Sequence, residues 1–168
     1  QALVFGGEPP PQNPPRTGLV VLDTGLRLWG VPRVMATAVG LAFAAMNGPC
    51  DLKLLRREGL HLFPADLSTR EKLVEHLQML DPHMHPRAAL ADLRNYLPTG
   101  HEETDVILIT SEDVLADREF QEWLNEFREP IEFIATVSRT GRYQLLQRTL
   151  HGVKLLKEAQ LDLEQLLA

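Results

Sequence analysis

Two acidic segments directly follow long apolar runs, and their side chains are the ones best suited to chemistry. Asp23 ends the run 18–22, and a Ser-Glu-Asp sequence at 111–113 follows the predicted strand 105–110, whose residues 106–109 are all apolar. An uninterrupted apolar run is typical of a strand buried on both faces. Open α/β sheets place their ligand sites outside the carboxyl ends of such strands. Carboxylates at this edge are suited to hold a divalent cation or to move protons.

A second group of candidate ligands is the His-x-His pair of His83 and His85, which lies near Asp81 and has a distant companion in His61. Two histidines supply half of a tetrahedral zinc site, and the single cysteine, Cys50, is far from them in the sequence. The pattern therefore favours a polar loop at the ligand edge over a zinc centre. Cys50 follows Gly-Pro and is interpreted as a small buried apolar residue.

Other catalytic signatures are missing from the sequence. Ser111 has charged neighbours and does not lie in the Gly-x-Ser-x-Gly turn of serine hydrolases. The first apolar run is followed neither by Gly-x-Gly-x-x-Gly nor by a Walker-type Gly-x-x-x-x-Gly-Lys sequence, so no phosphate cradle is predicted. Trp29, just beyond Asp23, is a different kind of candidate, because an exposed indole is a frequent hot spot in protein interfaces.

The composition bounds the class of protein. The chain has 168 residues, is 44% hydrophobic and carries a formal net charge of -6. This length suits one α/β domain with a real core, and the negative charge argues against nucleic acid or anionic lipid as a partner. No apolar run is long enough to span a bilayer. One cysteine requires no disulfide, so we expect a soluble, cytoplasmic protein.

The chain divides into a tail and one domain. Residues 6–15 contain five prolines and no apolar periodicity, which predicts an extended linker over residues 1–17. Residues 18–168 are predicted to form a single domain. A Ser-Thr-Arg-Glu sequence at 68–71 predicts a helix start, with Ser68 or Asp66 as the N-cap.

The predicted elements of the domain alternate between strand and helix. Three central parallel strands, one hairpin and four helices are expected, followed by a C-terminal region that fits either a hairpin or a helix. For that region we expect an edge hairpin turning near Gly152 and then a short helix, because glycine is costly inside a helix. The predicted bounds are 18–23, 105–110 and 131–137 for the strands, 50–63 for the hairpin, and 31–46, 68–80, 86–97 and 117–127 for the helices.

This order of elements resembles the von Willebrand factor A-like (vWA) domain. The resemblance covers about residues 17–140 and rests on three passages: 20–25 (Val-Val-Leu-Asp-Thr-Gly), 87–90 (Arg-Ala-Ala-Leu) and 107–112 (Ile-Leu-Ile-Thr-Ser-Glu). It implies a doubly wound, mostly parallel central sheet with an antiparallel edge strand and with helices on both faces.

The resemblance also implies a degenerate metal ion-dependent adhesion site. Family members hold Mg²⁺ with Asp-x-Ser-x-Ser, a threonine in a second loop and an aspartate in a third. Here Asp23 is kept, Gly25 and Arg27 stand at the two serine positions, the second loop has no threonine, and Ser111 stands at the third-loop aspartate. We therefore expect no cofactor and no Mg²⁺. In this interpretation Arg27 pairs with Asp23 or with the nearby Glu112, and so replaces the cation.

If a cation did bind, Asp23, Glu112 and Asp113 would be its ligands. The same three residues carry the alternative function, a metal-dependent hydrolase or phosphotransfer enzyme. A third alternative is a purely structural domain that supports its neighbours in a longer chain.

The first interpretation is a non-enzymatic protein–protein interaction module within a larger multidomain or multiprotein system of bacterial type. The resemblance implies partner binding through the loops at the carboxyl ends of the strands, and an AAA+ ATPase of the MoxR type as a partner. The candidate partner-binding residues are Arg27, Trp29, His83, His85 and Ser111.

Overall fold

The computed structural model describes residues 17–46, 51–83, 86–97, 104–127, 131–150, 152–162 and 164–165. Seven strands form one sheet in the order β3-β2-β1-β4-β5-β6-β7. The strands are β1 Thr17–Leu22, β2 Asp51–Glu58, β3 His61–Pro64, β4 Thr104–Ser111, β5 Phe133–Val137, β6 Arg142–Thr149 and β7 Gly152–Gln160. The helices are α1 Val31–Met46, α2 Arg70–Gln78, α3 Arg87–Leu90, α4 Glu112–Ala116 and α5 Arg118–Glu126, and short 3-10 helices span Leu26–Leu28 and Ala91–Asn95.

The centre of the sheet is parallel and its edges are antiparallel. β1 pairs in parallel with β2 and with β4, and β4 pairs in parallel with β5. β3 pairs antiparallel with β2, while β6 and β7 extend the other edge antiparallel. The protein is therefore an α/β protein with a mixed sheet. The three predicted central strands and the hairpin are confirmed, and β3 is an antiparallel edge strand. The other edge adds two antiparallel pairings, β5 with β6 and β6 with β7.

The core consists of two clusters that share β1. Leu19 and Val21 pack in one cluster with residues of α3, α4 and α5, whereas Val20 and Leu22 pack in the other with residues of α1. Successive strand residues point to opposite faces, so the alternation follows from the strand geometry. It explains why the run carries no polar residue: both kinds of position are buried.

Local details differ from the sequence prediction in three places. Thr69, not Ser68 or Asp66, is the N-cap of α2, because its side chain accepts a hydrogen bond from the Lys72 amide. The single helix predicted at 86–97 is split into α3 and a 3-10 helix. The sequence predicts strands at 50–56 and 59–63 joined by residues 57–59. In the structure β2 continues to Glu58, and the turn includes Gly59, whose φ of +64° favours glycine.

The C-terminal region forms the predicted hairpin, with β7 longer than expected. The pairing between β6 and β7 contains a bulge. Leu145 pairs with Lys157 but Leu146 pairs with Leu155, so Leu156 has no pairing partner in β6. Residues 164–165 are helical, and the remainder of the predicted C-terminal helix lies outside the described residues. So do residues 1–16 of the predicted linker and Cys50, although Thr17 already belongs to β1.

Candidate functional site

The strand register brings three polar residues together at the carboxyl ends of β1, β2 and β4. Leu22 pairs with Arg56 on one side and with Ile109 on the other. The next residue of each strand therefore lies at the same level, which places Asp23 between Arg57 and Thr110. Sequence analysis identified Asp23 but neither of its neighbours.

Asp23 is fully enclosed by hydrogen-bond donors. Its Oδ1 accepts from Arg57 Nε at 2.9 Å and from the Gly25 amide at 3.0 Å, and its Oδ2 accepts from the Thr110 hydroxyl at 2.6 Å. Arg57 Nη2 lies 2.8 Å from the same Oδ1, and the two side chains are 1% and 0% exposed. A buried charged pair is stable only with close geometry and several hydrogen bonds, and Asp23 has both. Among the described residues, Arg57 Nη1 has no hydrogen-bond partner.

A second carboxylate, Asp81, flanks Arg57 on its other side. Asp81 Oδ1 lies 3.5 Å from Arg57 Nη1 and accepts from the amide and from Nδ1 of His83, at 2.9 and 2.6 Å. Its Oδ2 accepts from the Gly59 amide at 2.6 Å. Burial raises the pKa of Asp81, but the bonds from His83 and Gly59 and the charge of Arg57 outweigh it, so the net pKa is below its usual value. Asp81 therefore remains ionised beside Arg57.

A second buried guanidinium, Arg33 of α1, fixes the loop that follows β1. It donates to the carbonyl oxygens of Thr24, at 2.7 Å, and Gly25, at 3.3 Å. It also donates to the carbonyls of His76 and Met79 at the end of α2. Burial lowers its pKa, yet an arginine stays charged in proteins. Arg33 thus ties α1, α2 and the loop carrying Asp23 into one unit.

His76 completes this polar layer as a buried, neutral histidine. Its Nε2 lies 3.0 Å from the Thr37 hydroxyl, which itself donates to the Arg33 carbonyl at 2.8 Å. Nε2 must therefore carry the proton. Burial, together with the charges of Arg56 and Arg33, lowers the pKa of His76 to about 4.

Position 25 has no room for a side chain, which explains the glycine there. A Cβ added to Gly25 would clash with Nη2 of Arg57 and would lie 3.0 Å from the carbonyl oxygen of His83. The vWA resemblance leads one to expect serine at this position. The Arg57 guanidinium occupies that space, so the glycine at position 25 and the buried position of Arg57 depend on each other.

The position of Arg27 differs from the prediction. Arg27 Nη1 pairs with Asp117 at 3.0 Å and also donates to the Asp113 carbonyl at 3.3 Å, and not to Asp23 or Glu112. Glu112 is instead held by Arg142 through two bonds of 3.0 and 2.9 Å. The expected pairing of Arg27 with Asp23 or Glu112 is wrong, because the arginine bonded to Asp23 is Arg57 of β2.

The three candidate metal ligands do not converge in the described part of the chain. Asp23 is bonded to Arg57 and Thr110, Glu112 is paired with Arg142, and Asp113 is an exposed residue of the first turn of α4. No group of three or more His, Cys, Asp or Glu side chains that would hold a metal occurs among these residues.

The candidate partner-binding residues fall into exposed and buried groups. Trp29 is 43% exposed beside Leu26 at 44%, the His83 side chain is 44% exposed, and Arg27 is largely covered by its ion pair. Ser111 is buried and serves as the N-cap of α4, where its hydroxyl accepts from the Val114 amide at 3.1 Å. His85 lies outside the described residues.

Sequence reasoning missed Arg33, Arg57, Thr110, His76 and Asp81 as parts of one network. One signal was available: Arg33 is the only charged residue in the apolar sequence of α1. In the sequence, the clustering of Lys53, Arg56 and Arg57 predicts the solvated end of a strand. That expectation is wrong for Arg57, which is 1% exposed.

Comparisons of the chain with protein-family models, with curated proteins and with solved structures returned no match. Within the described ranges, no helix combines the length and the apolar composition needed to cross a membrane. The fold and site therefore define an α/β protein with a buried, charge-paired polar layer at the carboxyl edge of its parallel strands.

Proposed function

We propose that this chain is a non-enzymatic protein–protein interaction module of vWA-like fold, with the Arg57 guanidinium in the place of the metal ion. The observation that carries the proposal is the buried pair of Asp23 and Arg57. A divalent cation would need the Asp23 oxygens, and these already accept bonds from Arg57, Gly25 and Thr110. Binding to a partner is then independent of metal.

The proposal includes a doubly wound sheet with helices on both faces. The two core clusters support it, since one joins β1 to α3, α4 and α5 and the other joins β1 to α1. The strand order and the antiparallel β3 edge agree with what the resemblance implies.

The partner-binding surface in this proposal is the rim patch, defined as Leu26, Arg27, Trp29, His83 and Arg139. Trp29 and Leu26 are exposed apolar side chains, and Arg139 Nη1 lies 3.4 Å from the Trp29 carbonyl oxygen. Aromatic residues and arginines dominate the binding energy of protein interfaces. The buried ion pairs hold the backbone beneath this patch, so the patch is presented in one conformation.

The partner proposed from the resemblance is an AAA+ ATPase of the MoxR type, and the setting is a larger multiprotein system of bacterial type in the cytoplasm. The enzyme alternative needs Asp23, Glu112 and Asp113 to act on one metal. Each of the three has separate surroundings in the fold, and no observation favours that alternative.

The test is capture of a MoxR-type ATPase from the native host by the immobilised chain, in buffer containing EDTA. Trp29→Ala and Arg27→Ala should each weaken capture by about 1 to 4 kcal/mol. The thermal midpoint should change little for Trp29→Ala, and Arg27→Ala should add only the small loss of a partly exposed ion pair.

Leu150→Ala is the matched control, because Leu150 is 97% exposed and lies at the turn between β6 and β7, at the opposite edge of the sheet. It should leave capture unchanged. Capture that requires Mg²⁺, or that survives both rim changes but is lost when residues 9–15 are deleted, would contradict the rim proposal.

A further inference from the structure

An apolar groove lies between α1 and the β6–β7 hairpin, well away from the Asp23 network. Its walls are Val39 and Phe43 of α1, Tyr143 of β6, and Lys157, Ala159 and Leu161 of β7 and the residue beyond it. The cavity has a volume of about 250 Å³. This is slightly below the range of roughly 300 to 1,000 Å³ common for small-molecule sites, so the groove suits a small ligand.

The hairpin register places two polar side chains in this apolar groove. Tyr143 pairs with Ala159, and Leu145 pairs with Lys157. Pairs two residues apart share a face of the sheet, so Tyr143 and Lys157 are diagonal neighbours on the face that turns towards α1. A tyrosine and a lysine in this relation are close enough to act on one bound group.

The Tyr143 hydroxyl is a buried donor without an acceptor. Its side chain is 8% exposed, and the hydroxyl makes no hydrogen bond to any described residue. Burial raises the pKa of Tyr143 to about 12, which keeps the phenol protonated. The other tyrosine shows the usual arrangement, because the Tyr96 hydroxyl donates to the Leu62 carbonyl at 2.9 Å. Buried hydroxyl groups nearly always have a partner, so the exception points to an absent acceptor.

Lys157 contributes an uncompensated positive charge at the mouth of the groove. It is exposed, and among the residues that the structure describes it has no ion-pair partner. The groove thus combines hydrocarbon walls, one cation and one orphan hydroxyl donor. An anionic group on an apolar body matches all three.

We propose that this groove binds a small carboxylate with an aliphatic body, of the class of medium-chain fatty acids. The hydrocarbon chain lies against Val39, Phe43 and Leu161, where it removes apolar surface from water. The carboxylate pairs with the Lys157 ammonium and accepts a hydrogen bond from the Tyr143 hydroxyl. The site is independent of the rim patch and of the proposed interaction function.

The test is calorimetric titration of the full chain with octanoate and with 1-octanol at neutral pH. Octanoate should bind more tightly, since the alcohol lacks the charge. Lys157→Gln should weaken octanoate about tenfold, the usual size of a charge-assisted bond, and leave octanol nearly unchanged. Lys154→Gln is the matched control: Lys154 pairs with Gln147 on the same face of the same strand but does not line the groove, and its change should leave both affinities as they are.

Tyr143→Phe separates binding from folding. It should weaken octanoate severalfold, while the thermal midpoint of the free protein should not fall, because an unpaired buried hydroxyl is removed. Equal affinity for octanoate and octanol, or insensitivity to both substitutions, would overturn the proposal. So would octanoate binding that begins only when residues 162–168 are deleted, since the chain's own C-terminal segment would then be the occupant.

Discussion

The guanidinium of Arg57 and the Cα of Gly25 are mutually dependent. Arg57 reaches across from β2 to Asp23, and its Nη2 occupies the space that a side chain at position 25 would need. The geometry of one residue therefore fixes the identity of the other.

The first prediction concerns this pair directly. Gly25→Ser, which restores the serine of the vWA pattern, should displace Arg57 and lower the free energy of unfolding by about 3 kcal/mol or more, the usual cost of breaking a buried ion pair. Urea unfolding measures it. The control is Ala38→Ser at an exposed position of α1. It should lower the free energy of unfolding by well under half as much as Gly25→Ser. A Gly25→Ser variant as stable as the parent would show that Arg57 has room to move.

A second prediction concerns the coupling between Asp23 and Arg57. Asp23→Asn and Arg57→Met should each cost about 3 to 5 kcal/mol, because Asp23→Asn leaves Arg57 with only the more distant Asp81 and Arg57→Met leaves the buried Asp23 carboxylate without its cation. The double variant should cost clearly less than their sum. The exposed pair of Arg118 and Glu122, 3.2 Å apart, is the control. A double-mutant cycle on this exposed pair should give a coupling energy of about 0.5 kcal/mol or less. If the losses of unfolding free energy in the two single variants simply added in the double variant, Asp23 and Arg57 would not be energetically coupled.

Metal titration provides the third prediction. Calorimetric titration with Mg²⁺ or Mn²⁺ at neutral pH should show no saturable heat in the low-millimolar range, since Arg57, Gly25 and Thr110 already use the oxygens of Asp23. The opposite outcome, a micromolar site that Asp23→Ala abolishes, would favour the metal-dependent enzyme.

The fourth prediction is a loss of stability in mild acid. The pKa of His76 is about 4 in the fold against 6.5 for the free side chain. Between these values the unfolded chain binds more protons than the native one, so the free energy of unfolding decreases as the pH falls through this window. Between pH 7 and pH 4.5 the expected loss is about 2 to 3 kcal/mol.

The control for this pH dependence is His76→Gln, which keeps a polar side chain near Thr37 and does not titrate. Urea unfolding from pH 7 to pH 4.5 should show a flatter profile for the variant than for the parent. Asp81, whose pKa lies below its usual value, contributes only in more acidic solution. An unchanged slope in the variant would assign the acid sensitivity to other groups.

The sequence was sufficient for the central strands because their signal is local. The segments that became β1, β4 and β5 are dominated by consecutive apolar residues, such as 18–22 and 106–109, and burial on both faces favours that pattern. Turn chemistry at Gly59 and Gly152 located the hairpins. The length of β7 could not be predicted in the same way, because its exposed residues carry little periodicity.

The network around Asp23 could not be predicted from local pattern. Arg57 follows another arginine near a hairpin turn, a context that usually means solvent. Its burial depends on Asp23 and Asp81, which are 34 residues before it and 24 residues after it in the chain. The sheet register brings Asp23 beside Arg57, and a bridge to Gly25 brings Asp81 there. The spacing of Arg27 from Asp23 matches a position of the vWA metal motif, and this spacing predicted an ion pair between them. In the fold, Arg57 on the neighbouring strand β2 forms the ion pair with Asp23 instead.

The bulge at Leu156 limits how far this sheet can grow. A strand at the edge with unpaired backbone groups and exposed leucines is a template for aggregation. Here the bulge divides the outer edge of β7 into the stretches 152–155 and 157–160. A strand added from another molecule could therefore not form a continuous ladder of backbone hydrogen bonds along β7. It also turns Lys154 and Lys157 to the same face, where an incoming chain would meet both charges. The bulge thereby limits strand addition at the open edge of the sheet.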